Sequence, residues 1–194
     1  MAFEPYASRT HEKMKEVLMY PDAAGPVIHY YMIRGGKDRY NATVLMPGTV
    51  GAEYLKTYGH YHRGNLDETY WFKLGEGIVL LQKLVDESNP SVVEEFRVIP
   101  VKAGDSTYMP SGYGHLIVNT GRTLMVMVDD SPVEGIQDSA AMPGHADYEP
   151  VKQMRGFAYY VIEVNGKPVL ARNPLYKEVR KTDFGGLFVV ERKD

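Results

Sequence analysis

The segment Gly104–Asn119, with the sequence GDSTYMPSGYGHLIVN, restricts the fold more than any other part of this 194-residue chain. Its Pro110-Ser111-Gly112 triplet predicts a tight turn, and the run His115–Asn119 that follows predicts a strand. His115 therefore stands at the start of a strand, directly after a turn. An imidazole in that position is a candidate metal ligand.

Short β-rich runs extend on both sides of this segment, and turn signals such as Pro47-Gly48 and Asn89-Pro90 separate them. Their spacing of roughly ten residues predicts an all-β sandwich or barrel, not alternating βαβ units. The further predicted strands are Val27–Ile33, Tyr40–Met46, Thr69–Leu74, Gly77–Val85, Val92–Val101 and Thr123–Val128.

The segments outside this β-rich region carry other signals. Residues 10–20 predict one short helix, with Thr10 as its N-cap and Pro21 just past its end. Residues 129–155 contain several prolines and glycines and predict a long irregular excursion. A loop of that length in a compact domain is usually functional or disordered.

We interpret residues 1–194 as one domain, with a barrel core over about residues 27–130 and a loop and C-terminal strands over residues 131–194. No internal repeat or linker divides the chain. The C-terminal strands are predicted at Phe157–Val164 and Pro168–Ala171, which form a hairpin around Asn165-Gly166, and at Gly186–Glu191.

The composition excludes several classes of function. Hydrophobic residues make up 44% and charged residues 24%, as in an average globular chain, which excludes disorder and coiled coil. The absence of cysteine excludes disulfides and thiolate chemistry, so a metal site must use His and carboxylate ligands. A net charge of −3 gives no electrostatic argument for nucleic-acid binding, and no apolar stretch is long enough to span a membrane. We expect a cytoplasmic protein, because the N-terminus has no signal-peptide pattern.

A His-x-His pair supplies further candidate ligands. On a strand, His60 and His62 point to the same face, and Glu68 opens the next strand after a short loop. An adjacent antiparallel strand would bring the Glu68 carboxylate back beside the pair. With His115 this makes four ligands of the kind that a divalent first-row metal binds. The alternative interpretation of the pair is two ordinary strand histidines with one face in solvent.

Together these motifs resemble those of the cupin superfamily. Its first motif corresponds here to His60, His62, Glu68 and Gly75, and its second motif matches Gly104–Asn119 without a gap. The first motif departs in its spacer of five residues between His62 and Glu68, and Tyr54 stands where the family has a leading glycine. The resemblance implies an all-β fold, the cupin double-stranded β-helix or jelly-roll barrel, with a short N-terminal helix and a C-terminal extension.

Within the cupins, the run from Thr43 to His62 is similar to the cupin-type glucose-6-phosphate isomerases. The likeness covers about residues 27–177 and continues through Glu68-Thr69-Tyr70 and Gly144–Tyr148, where one residue is inserted. It implies a cytoplasmic enzyme of glycolysis and gluconeogenesis that interconverts glucose 6-phosphate and fructose 6-phosphate. It also implies a homodimer that uses segments near Tyr20–Met46, with no nucleic-acid or membrane partner.

The resemblance also implies roles for single residues. One divalent metal per subunit, Fe²⁺ in the first place and Zn²⁺, Mn²⁺ or Ni²⁺ as alternatives, would stabilise an enediolate, with Glu68 as the base. A metal-assisted hydride shift is the competing mechanism. The metal ligands would be His60, His62, Glu68 and His115, and the phosphate and substrate contacts would be Thr43, Thr57, Gly59, Tyr70, His145 and Tyr148.

Two features keep other functions open. A Tyr-Pro pair of the family is replaced by Asp129-Asp130-Ser131-Pro132, so one phosphate-binding tyrosine is missing and two carboxylates stand near the expected phosphate. A cupin dioxygenase has the same three-His, one-Glu ligand set. A non-catalytic sugar-phosphate-binding cupin is the third alternative.

Overall fold

The computed structural model describes residues 7–34, 41–62, 64–131 and 146–190, and its regular structure consists mainly of β-strands with few helical residues. Its helices are α1 (His11–Met14), a 3₁₀ turn (Lys15–Val17) and α2 (Glu149–Gln153). The strands are β1 (Ala7–Thr10), β2 (Ile28–Ile33), β3 (Asn41–Leu45), β4 (Thr49–Val50), β5 (Glu53–Tyr54), β6 (His60–His62), β7 (Glu68–Leu74), β8 (Glu76–Leu84), β9 (Val92–Lys102), β10 (Ser106–Met109), β11 (Tyr113–Asn119), β12 (Met125–Asp129), β13 (Ala146–Asp147), β14 (Tyr159–Val164), β15 (Lys167–Arg172), β16 (Glu178–Asp183) and β17 (Val189–Val190).

Two six-stranded sheets form the barrel. The first has the order β1-β2-β3-β12-β7-β10 and the second the order β13-β6-β11-β8-β9-β16. Between β6 and β12 the chain passes repeatedly from one sheet to the other: β6, β8, β9 and β11 belong to the second, whereas β7, β10 and β12 belong to the first. This alternation is the topology of a jelly roll, and it confirms the all-β cupin fold predicted from the two motifs.

The alternation of side chains along each strand places the core between the sheets. In β7, Glu68, Tyr70 and Phe72 are buried while Thr69 and Trp71 are partly exposed, because successive side chains point to opposite faces. Strand β8 is buried on both faces. Its Gln82 side chain receives a hydrogen bond from the Ala158 backbone N–H (2.8 Å), so the C-terminal extension covers its outer side. One apolar cluster includes residues of both sheets and of this extension.

The N-terminal helix begins as predicted and ends early. The Lys13 backbone N–H donates to Thr10 Oγ1 (3.3 Å), which confirms Thr10 as the N-cap. Helical structure stops at Val17 and not at Tyr20, because Leu18 is extended and the Met19 N–H donates to Glu53 Oε2 (2.7 Å). A contact with the barrel therefore ends this helix.

The C-terminal region confirms the predicted hairpin and corrects two other predictions. Strands β14 and β15 pair around Asn165 and Gly166, both with positive φ (53° and 75°), as a two-residue hairpin turn requires. The excursion predicted as irregular contains β13 and α2, whose first turn includes Pro150. Strand β16 was not predicted, because its mostly exposed side chains show no alternation. It pairs in parallel with β9 and forms the edge of the second sheet.

Candidate metal centre and substrate cavity

Three imidazoles and one carboxylate meet inside the barrel. One ligand atom from each of His60, His62, Glu68 and His115 lies within 4.8 Å of the others. His60 and His115 are direct partners in the β6–β11 pairing, and His62 shares the face of His60. Glu68 comes from β7 in the opposite sheet, so the expectation of an adjacent antiparallel strand was wrong. The carboxylate reaches the histidines across the barrel interior, because the chain changes sheets between β6 and β7.

The tautomer of His62 can be read from its contacts. Its Nδ1 lies 2.9 Å from the Leu66 carbonyl oxygen, which can only accept, so Nδ1 carries the hydrogen. In the neutral ring, Nε2 then presents its lone pair to Glu68 Oε1, 3.2 Å away. His115 Nε2 lies 2.8 Å from the same oxygen, without the alignment of a hydrogen bond. Such a group of electron-pair donors needs a cation among them, and a divalent metal ion fits the donor set.

The charges of the cluster support each other. Burial alone would raise the pKa of the Glu68 carboxyl, but the surrounding imidazoles, His115 foremost, outweigh burial and hold that pKa well below its ordinary value. For His62, burial lowers the pKa and the interaction with Glu68 raises it, and the net result is a raised pKa. The carboxylate is therefore ionised and available as a ligand at neutral pH.

The predicted substrate residues line one cavity beside this cluster. Thr43, Thr57, Gly59, Tyr70 and Tyr148 all face the same space, together with His60 and His115. His145 lies outside the described residues. The cavity has a volume of about 40 Å³.

Thr57 reaches the cavity because the chain bends at Gly59. Gly59 has a φ of +81°, and an added Cβ would lie 3.0 Å from Leu116 Cβ and 3.3 Å from the His115 carbonyl oxygen. Only glycine adopts this backbone easily at so close an approach. The Ile117 N–H donates to Thr57 Oγ1 (3.0 Å), which leaves the hydroxyl hydrogen available to a ligand.

Tyr70 lies on the inward face that parity predicts. It is buried next to Glu68 on β7, and its ring centroid is 5.6 Å from that of His115. The phenol ring therefore lies beside the metal cluster.

Several cavity residues were missed from the sequence. Tyr30 and Met32 of β2 and the following Arg34 line the cavity, as do Ile117 and Met127. Their two-residue spacing along β2 was a usable signal, because side chains at i, i+2 and i+4 share a face.

A buried arginine supports the wall of the cavity. Arg9 Nε donates to the Tyr30 hydroxyl (3.1 Å), and the guanidinium lies 5.3 Å from the ring centroid of Tyr58 and 5.8 Å from that of Tyr148. Tyr148 in turn packs against His60, with centroids 5.2 Å apart. The N-terminal strand thus holds the aromatic side of the site in place.

The carboxylates of Asp129 and Asp130, which stand near the expected phosphate, both accept hydrogen bonds from neighbouring groups. Asp129 is buried, and its Oδ1 accepts a hydrogen bond from Asn41 Nδ2 (2.8 Å). Burial, together with repulsion from Glu68, raises the pKa of Asp129. Asp130 accepts from the Thr69 N–H (2.7 Å).

The comparisons with known proteins agree with this site. A family model described as "Glucose-6-phosphate isomerase (GPI)" matches residues 29–177. The glucose-6-phosphate isomerase of Pyrococcus abyssi is 35% identical over 143 residues, which cover 73% of this chain and 66% of the relative. That of Thermococcus litoralis is 34% identical over 144 residues, with the same coverage of 73% and 66%. The chain belongs to the glucose-6-phosphate isomerase family.

The matched part of this glucose-6-phosphate isomerase family member contains all four candidate ligands and every cavity residue named above. Arg9 lies before the matched part. The alignment spans 66% of the length of the Pyrococcus abyssi relative. Among solved structures, the capsular polysaccharide assembling protein CapF from Staphylococcus aureus is similar at 19% identity with a TM-score of 0.40, over 56% of this chain and 29% of CapF. None of the described helices is long and apolar enough to cross a bilayer.

Proposed function

We propose that this chain is a metal-dependent glucose-6-phosphate isomerase that interconverts glucose 6-phosphate and fructose 6-phosphate in the cytoplasm. The observation that carries the proposal is the convergence of His60, His62, Glu68 and His115 at one point of a cavity lined with neutral hydrogen-bond donors. Aldose–ketose isomerisation needs a base near two adjacent carbons and a group that stabilises the oxygens on them.

The ligand set supports a divalent first-row metal. Three imidazoles and one carboxylate suit iron, zinc, manganese and nickel, and we propose Fe²⁺ as the resident ion. When bound, the ion supplies Lewis-acid stabilisation of the negative charge that develops on the sugar oxygens. The His62 Nδ1–H bond to the Leu66 carbonyl keeps Nε2 directed at the centre.

Glu68 is the proposed base. It is buried beside His115, where water is excluded and a carboxylate can take a proton from one carbon and return it to the next. Its low pKa makes it a weak base, so Glu68 would act as the base most effectively in a state in which it does not also hold the metal. A hydride shift is the rival route, and turnover in D₂O distinguishes them: proton transfer introduces deuterium from solvent at the exchanged carbon, and a hydride shift does not.

The described cavity is small for a sugar phosphate. Its volume of about 40 Å³ is far below the roughly 300 Å³ at the lower end of small-molecule pockets, so we expect the site to widen when substrate binds.

The test is a coupled assay with fructose 6-phosphate on the full chain, before and after chelation and after return of each ion. We expect chelation to abolish turnover and Fe²⁺ to restore it. Glu68→Gln should lower kcat by at least about 100-fold. Glu94→Gln, which removes a carboxylate from the exposed Lys83–Glu94 pair, is the control and should leave kcat unchanged. Failure of metal-loaded protein to turn over any hexose phosphate would overturn the proposal, and substrate-dependent oxygen consumption would indicate a dioxygenase instead.

We also propose a homodimer that uses the segment Tyr20–Met46. Val27 in this segment is 81% exposed, so the proposed interface would cover an apolar side chain. Sedimentation should show a dimer that Val27→Asp dissociates. Phe188→Asp, a change at an apolar side chain with 79% exposure elsewhere, is the matched control. A monomeric parent protein would contradict the dimer.

A further inference from the structure

Arg34 places a permanent positive charge in the wall of the cavity. It follows β2, and because it continues the alternation of Tyr30 and Met32 it faces the same space. The structure describes twelve residues that line this cavity, and apart from the two histidines of the metal cluster Arg34 is the only one with an ionisable basic side chain. A guanidinium also presents several N–H donors in a planar fork that matches a phosphate group.

The register of the first sheet gives the surroundings of Arg34. Ile33 pairs with Ala42, so the next residues outward, Arg34 and Asn41, lie level on neighbouring strands. Asn41 pairs with Asp129, and Asp129 pairs with Tyr70. Arg34, Asn41, Asp129 and Tyr70 therefore form one row across the sheet.

The other buried cations near the cavity are already engaged. Arg9 donates to the Tyr30 hydroxyl and lies against three aromatic rings. Lys56 lies 2.5 Å from Glu53 Oε1 and donates to the Val17 carbonyl (2.7 Å). Arg34 interacts electrostatically with Asp129, Tyr70 and Tyr148, and within the described ranges it has no hydrogen bond or close ion pair that would keep it from a ligand.

A phosphorylated ligand in this cavity needs such a charge. A phosphate monoester carries about −1.5 to −2 charges at neutral pH. The carboxylates of Glu68 and Asp129 lie near the same space and repel it. Neutral donors such as Thr43 and Tyr70 orient a phosphate without offsetting that repulsion, whereas a guanidinium does both through paired N–H donors.

We propose that Arg34 is the residue that selects a phosphorylated sugar over its unphosphorylated counterpart, by binding the phosphate group against Tyr70 and Tyr148. This inference rests on the proposed isomerase function for the sugar, but the binding of the phosphate group can be tested without turnover. A purely structural role, in which Arg34 only balances the buried Asp129, is the rival explanation.

Calorimetric titration of the full chain with inorganic phosphate and with fructose 6-phosphate is the first test. Arg34→Gln should weaken the binding of both by about 10- to 100-fold, and Arg34→Lys should recover part of the loss. Arg122→Gln removes an equal charge from an exposed arginine at a different cavity and should leave both affinities unchanged.

Kinetics and stability separate the explanations. If Arg34 selects the phosphate, Arg34→Gln raises KM for fructose 6-phosphate with kcat nearly unchanged and leaves any turnover of fructose unaffected. If Arg34 only balances Asp129, the variant loses stability, Asp129→Asn restores it, and phosphate affinity does not change, which would overturn the inference. If the parent chain is an active isomerase but Arg34→Gln leaves phosphate affinity unchanged, only the role of Arg34 is refuted. If the parent chain has no isomerase activity but Arg34→Gln weakens phosphate binding, only the isomerase proposal is refuted.

Discussion

Two Glu–Lys pairs with the same spacing in sequence allow the effect of burial on an ion pair to be measured within one molecule. In Glu53–Lys56 the charged atoms are 2.5 Å apart and the side chains are 1% and 4% exposed. In Glu12–Lys15 they are 2.7 Å apart, and the side chains are 79% and 40% exposed. The perturbation is the same in both places: Lys56→Met and Lys15→Met.

The magnitude for the buried pair follows from its partners. Lys56 also donates to the Val17 carbonyl, and Glu53 also accepts from the Met19 N–H, so the pair joins the N-terminal segment to the barrel. Lys56→Met leaves the Glu53 carboxylate buried without its cation, which costs about 3–5 kcal/mol of folding free energy. For a chain of this length that corresponds to a fall in Tm of about 6–20 °C. Lys15→Met should cause no resolvable change, because water already solvates both charges.

Urea denaturation of the full chain, at one protein concentration, measures these effects, and a double-mutant cycle isolates the pair. We expect Glu53→Gln combined with Lys56→Met to cost less than the sum of the single changes, with a coupling free energy of about 2–3 kcal/mol. Because burial raises the pKa of Glu53, the Lys56→Met variant should lose less stability at pH 5 than at pH 8, where the unpaired carboxyl is charged. Equal effects of Lys56→Met and Lys15→Met, or strictly additive changes, would refute the reasoning.

Three further predictions concern the core, a buried histidine and the metal site. Gly77→Ala should destabilise the fold by about 1–3 kcal/mol, because the new Cβ would lie 2.1 Å from the Val118 carbonyl oxygen. The control is Gly121→Ala, where the nearest backbone atom would lie 3.3 Å from the new Cβ. It should cost less stability in the same denaturation experiment. His29 is buried, and its pKa is lowered from 6.5 to about 4 by burial and by the nearby His11 and Lys56, so between these values the unfolded chain binds a proton that the folded chain does not. Stability should therefore fall as the pH falls from 6.5 towards 4, and a His29→Gln variant with the same slope would contradict this. A divalent metal ion at a free concentration 100 times its Kd should raise the free energy of unfolding by about 2.7 kcal/mol, which corresponds to a rise in Tm of about 5–11 °C. An equal rise in the Glu68→Gln variant would count against the proposed ligand set.

The elements that local signals predict well are those whose side chains alternate or whose turns need special residues. Strand β7 was predicted at Thr69–Leu74 and is found at Glu68–Leu74, and the hairpin around Asn165-Gly166 has the positive φ values that these residue types favour. Strand β16 was missed because it depends on pairing with the distant edge of β9. Helix α2 was missed because Pro150, which follows Pro143-Gly144, predicts a loop, although Pro is well tolerated in the first turn of a helix.

In the candidate site, too, local signals predicted some features, and others depended on distant parts of the chain. The two-residue spacing of His60 and His62 and the turn before His115 were enough to name the ligands, since strand parity is a local property. The route of Glu68 across the barrel was not accessible in this way, and strand parity groups Arg34 with Tyr30 and Met32 without showing that their shared face lines the cavity. Both depend on which sheet a strand joins, and the sequence near each residue does not encode that choice.

The amino-acid sequence alone determined the β-rich pattern, the ligand types and the family, because periodicity, turn chemistry and motif spacing are written in short stretches of chain. Tertiary structure alone decided that the carboxylate and the imidazoles face each other from opposite sheets, and that Lys56 is buried against Glu53 while Lys15 and Glu12 remain in solvent. The physical reason is that burial and the approach of distant side chains depend on how the sheets close on each other. Residues with the same local spacing can therefore end in water or in the core.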